Sequence, residues 1–319
     1  MGSILVTGGA GYIGGVCVEK LVADGHKVVI VDSLETGHKE NVNKEASFYH
    51  GKVGDSKLMD KVFEENDIEA VFHFAGLIQV GESVKTPDKY FDTNFVQGVS
   101  LLNSMRKHNV LKIVFSSTAA VYGTPKRVPI EETDLKAPIN PYGEAKWMFE
   151  QALNRYHLAY GLKYHAFRYF NAAGATTKSH ELHEPETHLI PLIMQAAQGK
   201  RDAIYIFGTD YDTPDGTCIR DYVHVSDIVG AHLLSLKHLD KYPNEAFNLG
   251  SGNGYSVKEV IDAVKKISGK NFKVTESERR EGDPARLVAS SKKAKQILGW
   301  KLESTELEEI IKSAWEAIS

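Results

Sequence analysis

Cysteine is scarce in this 319-residue chain, basic residues are not in excess, and no long apolar run occurs. The two cysteines, Cys17 and Cys218, lie too far apart to predict a disulfide framework and are expected in the core. A net charge of -4 offers no basic surface to a nucleic acid. The sequence shows neither a signal peptide nor a segment of membrane-spanning length. We therefore expect a soluble, cytoplasmic protein that binds neither nucleic acid nor membranes.

A glycine-rich turn follows the first predicted strand, with Gly8, Gly11 and Gly14 ahead of a helix-like segment. Glycines at this spacing permit a tight turn, let the backbone approach a pyrophosphate, and place the phosphates at a helix N-terminus. Asp32 ends the second predicted strand, where its carboxylate can accept hydrogen bonds from a ribose diol. No arginine follows Asp32 to pair with a 2′-phosphate, so NAD is favoured over NADP as the cofactor.

Predicted strands and helices alternate along the first half of the chain. The strand-like segments are residues 3–7, 27–31, 47–50, 70–74, 112–116, 163–168 and, later, 246–249; the helix-like segments include residues 16–23, 57–65, 88–108, 141–160 and 305–318. This alternation predicts an α/β fold with a doubly wound parallel sheet. We predict an NAD-binding Rossmann domain over residues 1–168, to which residues 221–250 also contribute. Residues 169–319 are expected to form a smaller, intertwined substrate-binding lobe.

Tyr142 and Lys146 are spaced to share one face of a helix that begins after Asn140, a good N-cap. The helix dipole and the ammonium group both favour a phenolate, so we expect the Tyr142 pKa to fall from its usual value of about 10. A phenolate can take a proton from a hydroxyl while hydride leaves the same carbon. Thr118, beyond the fifth predicted strand, can donate a hydrogen bond to the developing carbonyl oxygen. A tyrosine four residues before a lysine occurs by chance in many helices. The preceding glycine-rich turn is what favours reading this pair as an acid-base group.

A zinc site is possible by ligand count at His180, His183 and His188. Glu181, Glu184, Pro185 and Glu186 lie between these histidines and favour a polar loop. We therefore predict no metal site.

Together these residues resemble the extended short-chain dehydrogenase/reductase family, and within it the UDP-glucose 4-epimerases. The resemblance runs nearly end to end, and the order and spacing of its segments make it specific. The recognisable segments are residues 3–14, 73–77, 80–83, 115–123, 141–146, 168–171, 187–191, 206–208, 215–225, 247–252 and 279–283.

The resemblance implies an isomerase of galactose metabolism that interconverts UDP-galactose and UDP-glucose, with Thr118, Tyr142 and Lys146 as catalytic residues. The residues expected to bind NAD are Gly8, Gly11, Tyr12, Ile13, Gly14, Asp32, Ser33, Val53, Phe74, Ala75, Gly76, Asn94, Ser116, Tyr142, Lys146 and Tyr169. The residues expected to bind the UDP-sugar are Thr118, Tyr142, Asn171, His188, Leu189, Tyr205, Phe207, Arg220, Val257, Arg280, Asp283 and Leu287. Two long helices, residues 88–108 and 141–160, resemble those that pair in homodimeric relatives.

The sequence departs from the family pattern at several positions. Lys52 stands where many members carry an aspartate that contacts adenine, and Asp55 could replace it only in a rearranged loop. Ile78 stands where some members carry a lysine near the nicotinamide ribose, and residues 15–16 replace a frequent Ser-His pair. None of these changes removes a predicted catalytic group.

The same residues bear on four alternative functions. Related dehydratases carry Asp-Glu after the active-site threonine, and here those positions are Ala119 and Ala120, so dehydration and decarboxylation are disfavoured. A non-catalytic NAD-sensing protein would not need both Tyr142 and Lys146. An epimerase acting on N-acetylated or other UDP-sugars stays open, because Leu287, expected beside the sugar C2 substituent, is neither bulky nor small.

Overall fold

The computed structural model describes residues 2–280 and 283–319, so Glu281 and Gly282 of the 279–283 segment lie outside the described residues. The strands are β1 (Ser3–Thr7), β2 (Val28–Asp32), β3 (Ser47–His50), β4 (Ile68–His73), β5 (Lys112–Ser116), β6 (Lys163–Tyr169), β7 (Asn171–Ala173), β8 (Ile204–Phe207), β9 (Ile219–Arg220), β10 (Tyr222–His224), β11 (Asn244–Leu249), β12 (Tyr255–Ser256), β13 (Val274–Ser277) and β14 (Arg286–Leu287). The helices are α1 (Tyr12–Ala23), α2 (Ser56–Glu65), α3 (Val80–Lys85), α4 (Pro87–Phe91), α5 (Gln97–Lys107), α6 (Pro141–Tyr160), α7 (Leu189–Ala197), α8 (Val225–His238), α9 (Val257–Ser268), α10 (Lys292–Leu298) and α11 (Leu307–Ile318). None of the described helices is both long enough and apolar enough to cross a membrane.

Seven parallel strands form the central sheet, in the order β11-β6-β5-β4-β1-β2-β3. Its central strands are nearly continuous apolar runs, because helices cover both faces of a parallel sheet. The strand order reverses between β1 and β4, since β2 and β3 lie on one side and β5 and β6 on the other. Ligands bind at such a reversal, beyond the carboxyl ends of the strands. The predicted doubly wound parallel sheet is confirmed.

Two hydrophobic clusters cover the two faces of the central sheet. On one face, α1 and α8 contribute Val16 and Ile228. On the other face, α2, α5 and α6 contribute Met59, Leu101 and Phe149. Burying a side chain of this kind contributes about 1.5–3 kcal/mol. The apolar face of each helix therefore decides how that helix lies on the sheet.

Three small sheets and three helices make up much of the second half of the chain. β10 pairs with β7, β9 lies between β12 and β14, and β13 pairs with β8. Ile193, Val260 and Ile311 pack together between α7, α9 and α11. β11 returns to the central sheet beside β6, with Phe247 opposite Phe167. The predicted domain boundaries at residues 168, 221 and 250 stay a prediction.

The helix predicted over residues 88–108 contains an interruption. One π-helical turn, Asp92–Val96, joins α4 to α5. Such turns hold an extra residue and are frequent at functional sites. Here Asn94 is buried, and its amide accepts from the Leu77 N–H at 2.7 Å and donates to the Leu77 carbonyl oxygen at 2.9 Å. The π-turn therefore fixes the loop that follows β4.

Removing the Phe167 ring tests the joint between β6 and β11. Its ring centre lies 5.6 Å from that of Phe247 and 4.6 Å from that of His232, in a fully buried site. Phe167→Ala should therefore lower the free energy of unfolding by about 3–5 kcal/mol, measured by chemical denaturation. Leu135→Ala, at a position that is 69% exposed, should change it by roughly 0.5 kcal/mol or less. Equal losses in the two variants would contradict the assigned packing.

Candidate active site

β1 runs into the glycine-rich turn, where the backbone leaves no room for side chains. Gly8 has a φ of +75°, a left-handed conformation that favours glycine, and a Cβ on it would lie 2.6 Å from the Ala75 nitrogen. A Cβ on Gly14 would lie 2.1 Å from the Gly8 carbonyl oxygen. The first turn of α1, after Gly11, has no side-chain cap. Its N–H groups are therefore available to an anion at the positive end of the helix dipole.

Tyr12 and Ile13 place their side chains in the interior beside this turn. The Tyr12 hydroxyl donates to the Gly174 carbonyl oxygen at 2.5 Å, and Ile13 packs against the core. Burial raises the pKa of Tyr12, so its phenol stays a neutral hydrogen-bond donor. These two side chains therefore brace the turn.

Asp32 ends β2 with a carboxylate that the backbone already braces. Its Oδ2 accepts from the Ala10 N–H at 3.0 Å and its Oδ1 from the Leu34 N–H at 2.8 Å. A Cβ on Gly37 would lie only 2.8 Å from Oδ1, so glycine keeps the space beside the carboxylate open. A carboxylate has about four lone-pair positions. Asp32 therefore keeps acceptor capacity for a diol.

An ion pair that the sequence did not predict lies beyond the ends of β2 and β3. Lys52 Nζ and Glu35 Oε1 are 2.6 Å apart on half-exposed side chains, and both residues line a cavity of about 300 Å³. The Glu35 N–H donates to the Ser33 hydroxyl at 3.4 Å, and Val53 is buried. Asp55 accepts from the N–H groups of residues 57 and 58 and so caps α2. It is therefore not a substitute for the missing carboxylate.

The loop after β4 carries three predicted site residues to the reversal point of the sheet. Phe74 and Ala75 donate their N–H groups to the carbonyl oxygen at the end of β1, at 3.0 and 3.1 Å. A Cβ on Gly76 would lie 2.9 Å from Asn94 Oδ1 and 3.3 Å from Lys146 Nζ. The loop, the π-turn and α6 therefore meet at Gly76.

Lys146 is buried and reaches the carboxyl end of β5. Its Nζ donates to the Ser116 carbonyl oxygen at 3.0 Å and lies 5.0 Å from the centre of the Phe115 ring. The Ser116 hydroxyl in turn is hydrogen-bonded to the Tyr169 hydroxyl. Burial lowers the pKa of Lys146 to about 8, because leaving water disfavours the ammonium form. Ser116, Lys146 and Tyr169, all predicted at the cofactor, thus lie together.

Tyr142 lies in the first turn of α6, and the local sequence explains why α6 begins there. The Asn140 side chain accepts from the Gly143 N–H at 2.9 Å, and a proline takes the first helical position. A Cβ on Gly143 would lie 2.7 Å from the Ala120 carbonyl oxygen, so the helix end packs directly on the turn after β5. Thr118 caps that turn by accepting from the Ala120 N–H at 3.1 Å.

Burial dominates the electrostatics of Tyr142. Burial raises the pKa of its phenol, and hydrogen bonding with the Thr118 hydroxyl lowers it by less. The expectation that Lys146 and the helix dipole would pull the Tyr142 pKa down is therefore wrong for the protein chain by itself. The physical reason is that Lys146 Nζ is bonded to the Ser116 carbonyl oxygen, and burial weakens its own charged form.

A buried ion pair connects α6 with β6 close to these residues. Arg168 Nη2 and Glu150 Oε2 lie 2.5 Å apart on side chains that are 4% and 5% exposed. Glu150 also accepts from the Ser117 hydroxyl at 2.5 Å, and Arg168 donates to the Tyr122 hydroxyl at 2.9 Å. Glu150 follows Lys146 by one helical turn, and Ser117 belongs to the segment after β5. The pair therefore holds both segments that carry the candidate catalytic residues.

Arg168 was predicted only as part of a recognisable segment, and Glu150 was not predicted. The available signal was an arginine inside an apolar strand, since a buried guanidinium requires a buried anion. The partner itself could not be chosen from sequence, because it lies on another element.

A second group of predicted residues gathers at the ends of β8, β9 and β14. Arg220 Nη2 and Asp283 Oδ1 are 2.7 Å apart. The guanidinium carbon of Arg280 lies 4.0 Å from the centre of the Phe207 ring. Leu287 stands opposite Arg220 in the β9–β14 pairing and packs on the buried cluster formed by the turn after β5. Leu287 therefore reaches the turn that Thr118 begins.

The other predicted substrate residues occupy element ends and an exposed strand face. Asn171 begins β7 and donates from its side-chain amide to a backbone carbonyl oxygen at 2.9 Å. His188 and Leu189 begin α7, Val257 begins α9, and Tyr205 is half-exposed on β8. Immediately after β8 and along β13 lies a cavity of about 620 Å³, lined by Gly208, Thr209, Asp210, Glu276, Ser277, Glu278 and Arg279.

Four potential metal ligands gather in the loop between β7 and α7. Glu181, His183, Glu186 and His188 each offer one ligand atom, and these atoms all lie within 4.8 Å of one another. Within the described residues the group has these four members, and His180 is not among them. Two of the three histidines considered in the sequence thus come together, with glutamates as neighbours. The absence of a metal site stays a prediction.

Comparisons with known proteins agree with this architecture. The model of the NAD dependent epimerase/dehydratase family matches residues 4–250. A UDP-glucose 4-epimerase from Streptococcus mutans is 50% identical over 318 residues, which cover 98% of this chain and 96% of that protein. One solved UDP-glucose 4-epimerase has a TM-score of 0.97 at 48% identity, covering 99% of this chain and 97% of its own. Another, from Bifidobacterium longum in complex with NAD+ and UDP, has a TM-score of 0.93 at 40% identity, covering 99% and 97%.

The chain therefore belongs to the NAD dependent epimerase/dehydratase family. This finding confirms the family resemblance seen in the sequence, which the fold also supports.

Truncating Glu150 tests the buried ion pair. Glu150→Ala should lower the free energy of unfolding by about 3–5 kcal/mol, because Arg168 is left buried without its counter-ion. Chemical denaturation measures this loss. Asp240→Ala is the matched control, since Asp240 pairs with Lys163 on the same strand at 2.7 Å but is 59% exposed. That variant should lose roughly 1 kcal/mol or less. An equal loss of unfolding free energy in both variants would show that the buried pair contributes no more to stability than the exposed one.

Proposed function

We propose that this protein is a UDP-glucose 4-epimerase, which interconverts UDP-galactose and UDP-glucose through a transient 4-keto sugar. The observation that carries the proposal is that Thr118, Tyr142 and Lys146 lie beyond the carboxyl end of β5, with Lys146 touching the loop at the reversal point. An acid-base group beside a dinucleotide-binding turn suits oxidation of a secondary alcohol to a ketone, followed by reduction of that ketone. The relatives reported above carry the same activity in their names.

The residues around the glycine-rich turn fit NAD. The uncapped first turn of α1 suits the pyrophosphate, and Asp32 has lone pairs for a ribose diol. The Lys146 ammonium, beside Gly76 and Ser116, suits the nicotinamide ribose. When bound, NAD supplies the hydride acceptor and later the hydride donor, and it returns unchanged. The carboxylate of Asp32 disfavours the additional phosphate of NADP.

We assign the proton transfers to Tyr142. Its phenol would take the proton of the sugar 4-hydroxyl during oxidation and return it during reduction. Thr118 lowers the pKa of this phenol, and its hydroxyl is assigned to hold the 4-oxygen. Lys146, with a pKa of about 8, stays mostly protonated at neutral pH, so it contributes a positive charge one helical turn from the phenol.

The uridine diphosphate is assigned to the group at the ends of β8, β9 and β14. Arg220 and Arg280 present planar guanidinium groups, which suit phosphate oxygens. Phe207 lies under Arg280 and adds an aromatic face. A substrate held by its diphosphate leaves the sugar free to turn, and both faces of C4 can then meet the same hydride carrier. Tight binding away from the reacting carbon thus permits inversion without release.

The surroundings of Tyr142 support epimerisation over dehydration. Eliminating water from the neighbouring carbons needs a further acid-base group, and positions 119 and 120 are alanines. Ala120 packs on the cluster of Leu77, Tyr90 and Tyr142. We therefore propose that the keto sugar is reduced again and does not lose water.

Leu287 bears on the choice of sugar. It packs on the turn that Thr118 begins, and it is partly buried. A side chain of this size leaves intermediate room beside the sugar. An epimerase that also accepts UDP-N-acetylglucosamine therefore stays the second candidate for substrate range.

The proposed function is tested by incubating the purified protein with UDP-galactose. We expect UDP-glucose to form without net consumption of NAD, and Tyr142→Phe to lower turnover by about two to four orders of magnitude. Because the ring remains, this variant should keep its NAD and its affinity for UDP. Coupled detection of UDP-glucose and ultraviolet absorbance of NADH give both readings.

Tyr160→Phe is the matched control, since that phenol lies at the exposed far end of α6. It should turn over at the rate of the parent. Accumulation of one NADH per product, or formation of a 4-keto-6-deoxy sugar, would reject epimerisation. Near-normal turnover of Tyr142→Phe would reject the assigned proton transfer. Parallel reactions with UDP-N-acetylglucosamine decide the substrate range.

We also propose that the protein is a homodimer that pairs through α5 and α6. Val96, at the end of the π-turn, and Leu158, on α6, are exposed apolar side chains. Tyr160 is also exposed, and the Arg106 guanidinium of α5 lies 5.1 Å from its ring centre. Exposed apolar groups on neighbouring helices support an interface between copies of the chain.

Leu158→Asp should shift the protein from dimer to monomer, because a carboxylate would be buried without a partner in the paired helices. Sedimentation velocity at micromolar concentration measures the change. Leu135→Asp, at a similarly exposed position in the loop before α6, should stay dimeric. A parent protein that sediments as a monomer would contradict the dimer.

A further inference from the structure

Against the prediction from the sequence that no metal binds here, we propose that Glu181, His183, Glu186 and His188 form a structural site for a divalent transition-metal ion, with zinc as the expected occupant. Their four ligand atoms lie within 4.8 Å of one another. Ligands around a tetrahedral zinc ion lie about 2.0–2.2 Å from the metal, which places them roughly 3.4 Å apart. Side-chain rotations of modest size are therefore enough to close the shell.

The donor atoms match zinc better than the alkaline-earth cations. His183 Nδ1 lies 2.9 Å from Glu181 Oε1, and His188 Nδ1 lies 2.7 Å from the same oxygen. Glu186 Oε1 is 2.9 Å from His188 Nδ1. Two imidazole nitrogens with two carboxylates suit zinc, whereas magnesium and calcium prefer oxygen ligands throughout. Both histidines already direct Nδ1 toward the carboxylates.

Charge balance also favours a cation in this cluster. The side chains of Glu181 and Glu186 are only 10% and 6% exposed. Among the described residues, neither carboxylate has a lysine or arginine within ion-pair distance, and the two histidines are their ion-pair partners. Glu186 Oε1 also accepts from the N–H groups of residues 187 and 188, each at 2.7 Å. A zinc ion would supply two positive charges to these two buried carboxylates.

The ligands come from one short segment, residues 181–188, which contains neither a helix nor a strand. Short spacings of this kind let one loop surround a metal ion. Few contacts hold the segment otherwise. His38 Nε2 lies 2.7 Å from the Leu182 carbonyl oxygen, and the Gln79 amide donates to the Pro185 carbonyl oxygen at 3.3 Å. A metal ion would therefore contribute much of the local order.

The cluster adjoins both groups of candidate binding residues. His38 Nε2 contacts the Leu182 carbonyl oxygen in this segment, and the His38 N–H donates to the Ala10 carbonyl oxygen of the glycine-rich turn at 3.0 Å. His188 is the N-cap residue of α7. A metal ion bound here would join the start of α7 to a segment that contacts the glycine-rich turn.

The test uses the full-length protein without an affinity tag. The protein is stripped with a chelator, loaded with zinc chloride and dialysed, and its zinc is then counted by elemental mass spectrometry. We expect about one zinc per chain. His183→Ala and Glu181→Gln should each bind zinc at least about 100-fold more weakly. His180→Ala removes a histidine of the same loop outside the cluster and should keep the zinc of the parent.

Cobalt(II) gives a second reading that surface binding does not produce. The loaded parent and His180→Ala should show the visible absorption bands of tetrahedral cobalt, and His183→Ala should not. Circular dichroism establishes that each variant is folded, and Glu181→Gln provides the test if His183→Ala does not fold. A parent that retains no zinc after dialysis, or a folded His183→Ala that retains as much as the parent, overturns the proposal.

Discussion

The buried pair of Arg168 and Glu150 is the constraint on which the candidate site depends. It links β6 with α6, and through the Ser117 hydroxyl it also holds the segment that follows β5. Two charges in an apolar interior require well-placed partners, so this pair tolerates little displacement. Tyr142 and Lys146 precede Glu150 on the same helix and therefore share its position. The Arg168–Glu150 ion pair thus fixes the position of Tyr142 and Lys146 without taking part in the proposed chemistry.

Burial has opposite effects on the two groups of the proposed acid-base device. It raises the pKa of Tyr142 and lowers that of Lys146, and each shift favours the uncharged form. The chain by itself therefore holds Tyr142 as a neutral phenol, while Lys146 keeps its charge at neutral pH with a smaller margin than an exposed lysine. Charges introduced there act at low dielectric and have a large influence on a buried phenol. The protonation of Tyr142 and Lys146 therefore depends more on the charge of a bound ligand than on the bulk solvent.

Local patterns account for what the sequence could predict. The glycine spacing and the interval between Tyr142 and Lys146 depend on neighbours within a few residues, so both are present in the fold as expected. The Lys52–Glu35 pair and the burial of Asn94 depend on contacts between separate elements, which no local pattern carries. The Tyr142 pKa was mispredicted for the same reason, since burial is a property of the whole fold. The roles assigned to individual site residues stay predictions.

The pairing of β11 with β6 has a consequence for how the chain is made. Among the described residues, the outer edge of β6 at residues 164–169 pairs with residues 244–249 of β11. During synthesis, the first six strands are complete long before β11 leaves the ribosome. Until then β6 is an unpaired edge strand, and such an edge is a template for pairing with another chain. A truncated chain ending near residue 168 would keep that edge exposed permanently. The nucleotide-binding domain therefore finishes folding only when residues 244–249 join its sheet, so the two proposed lobes fold together.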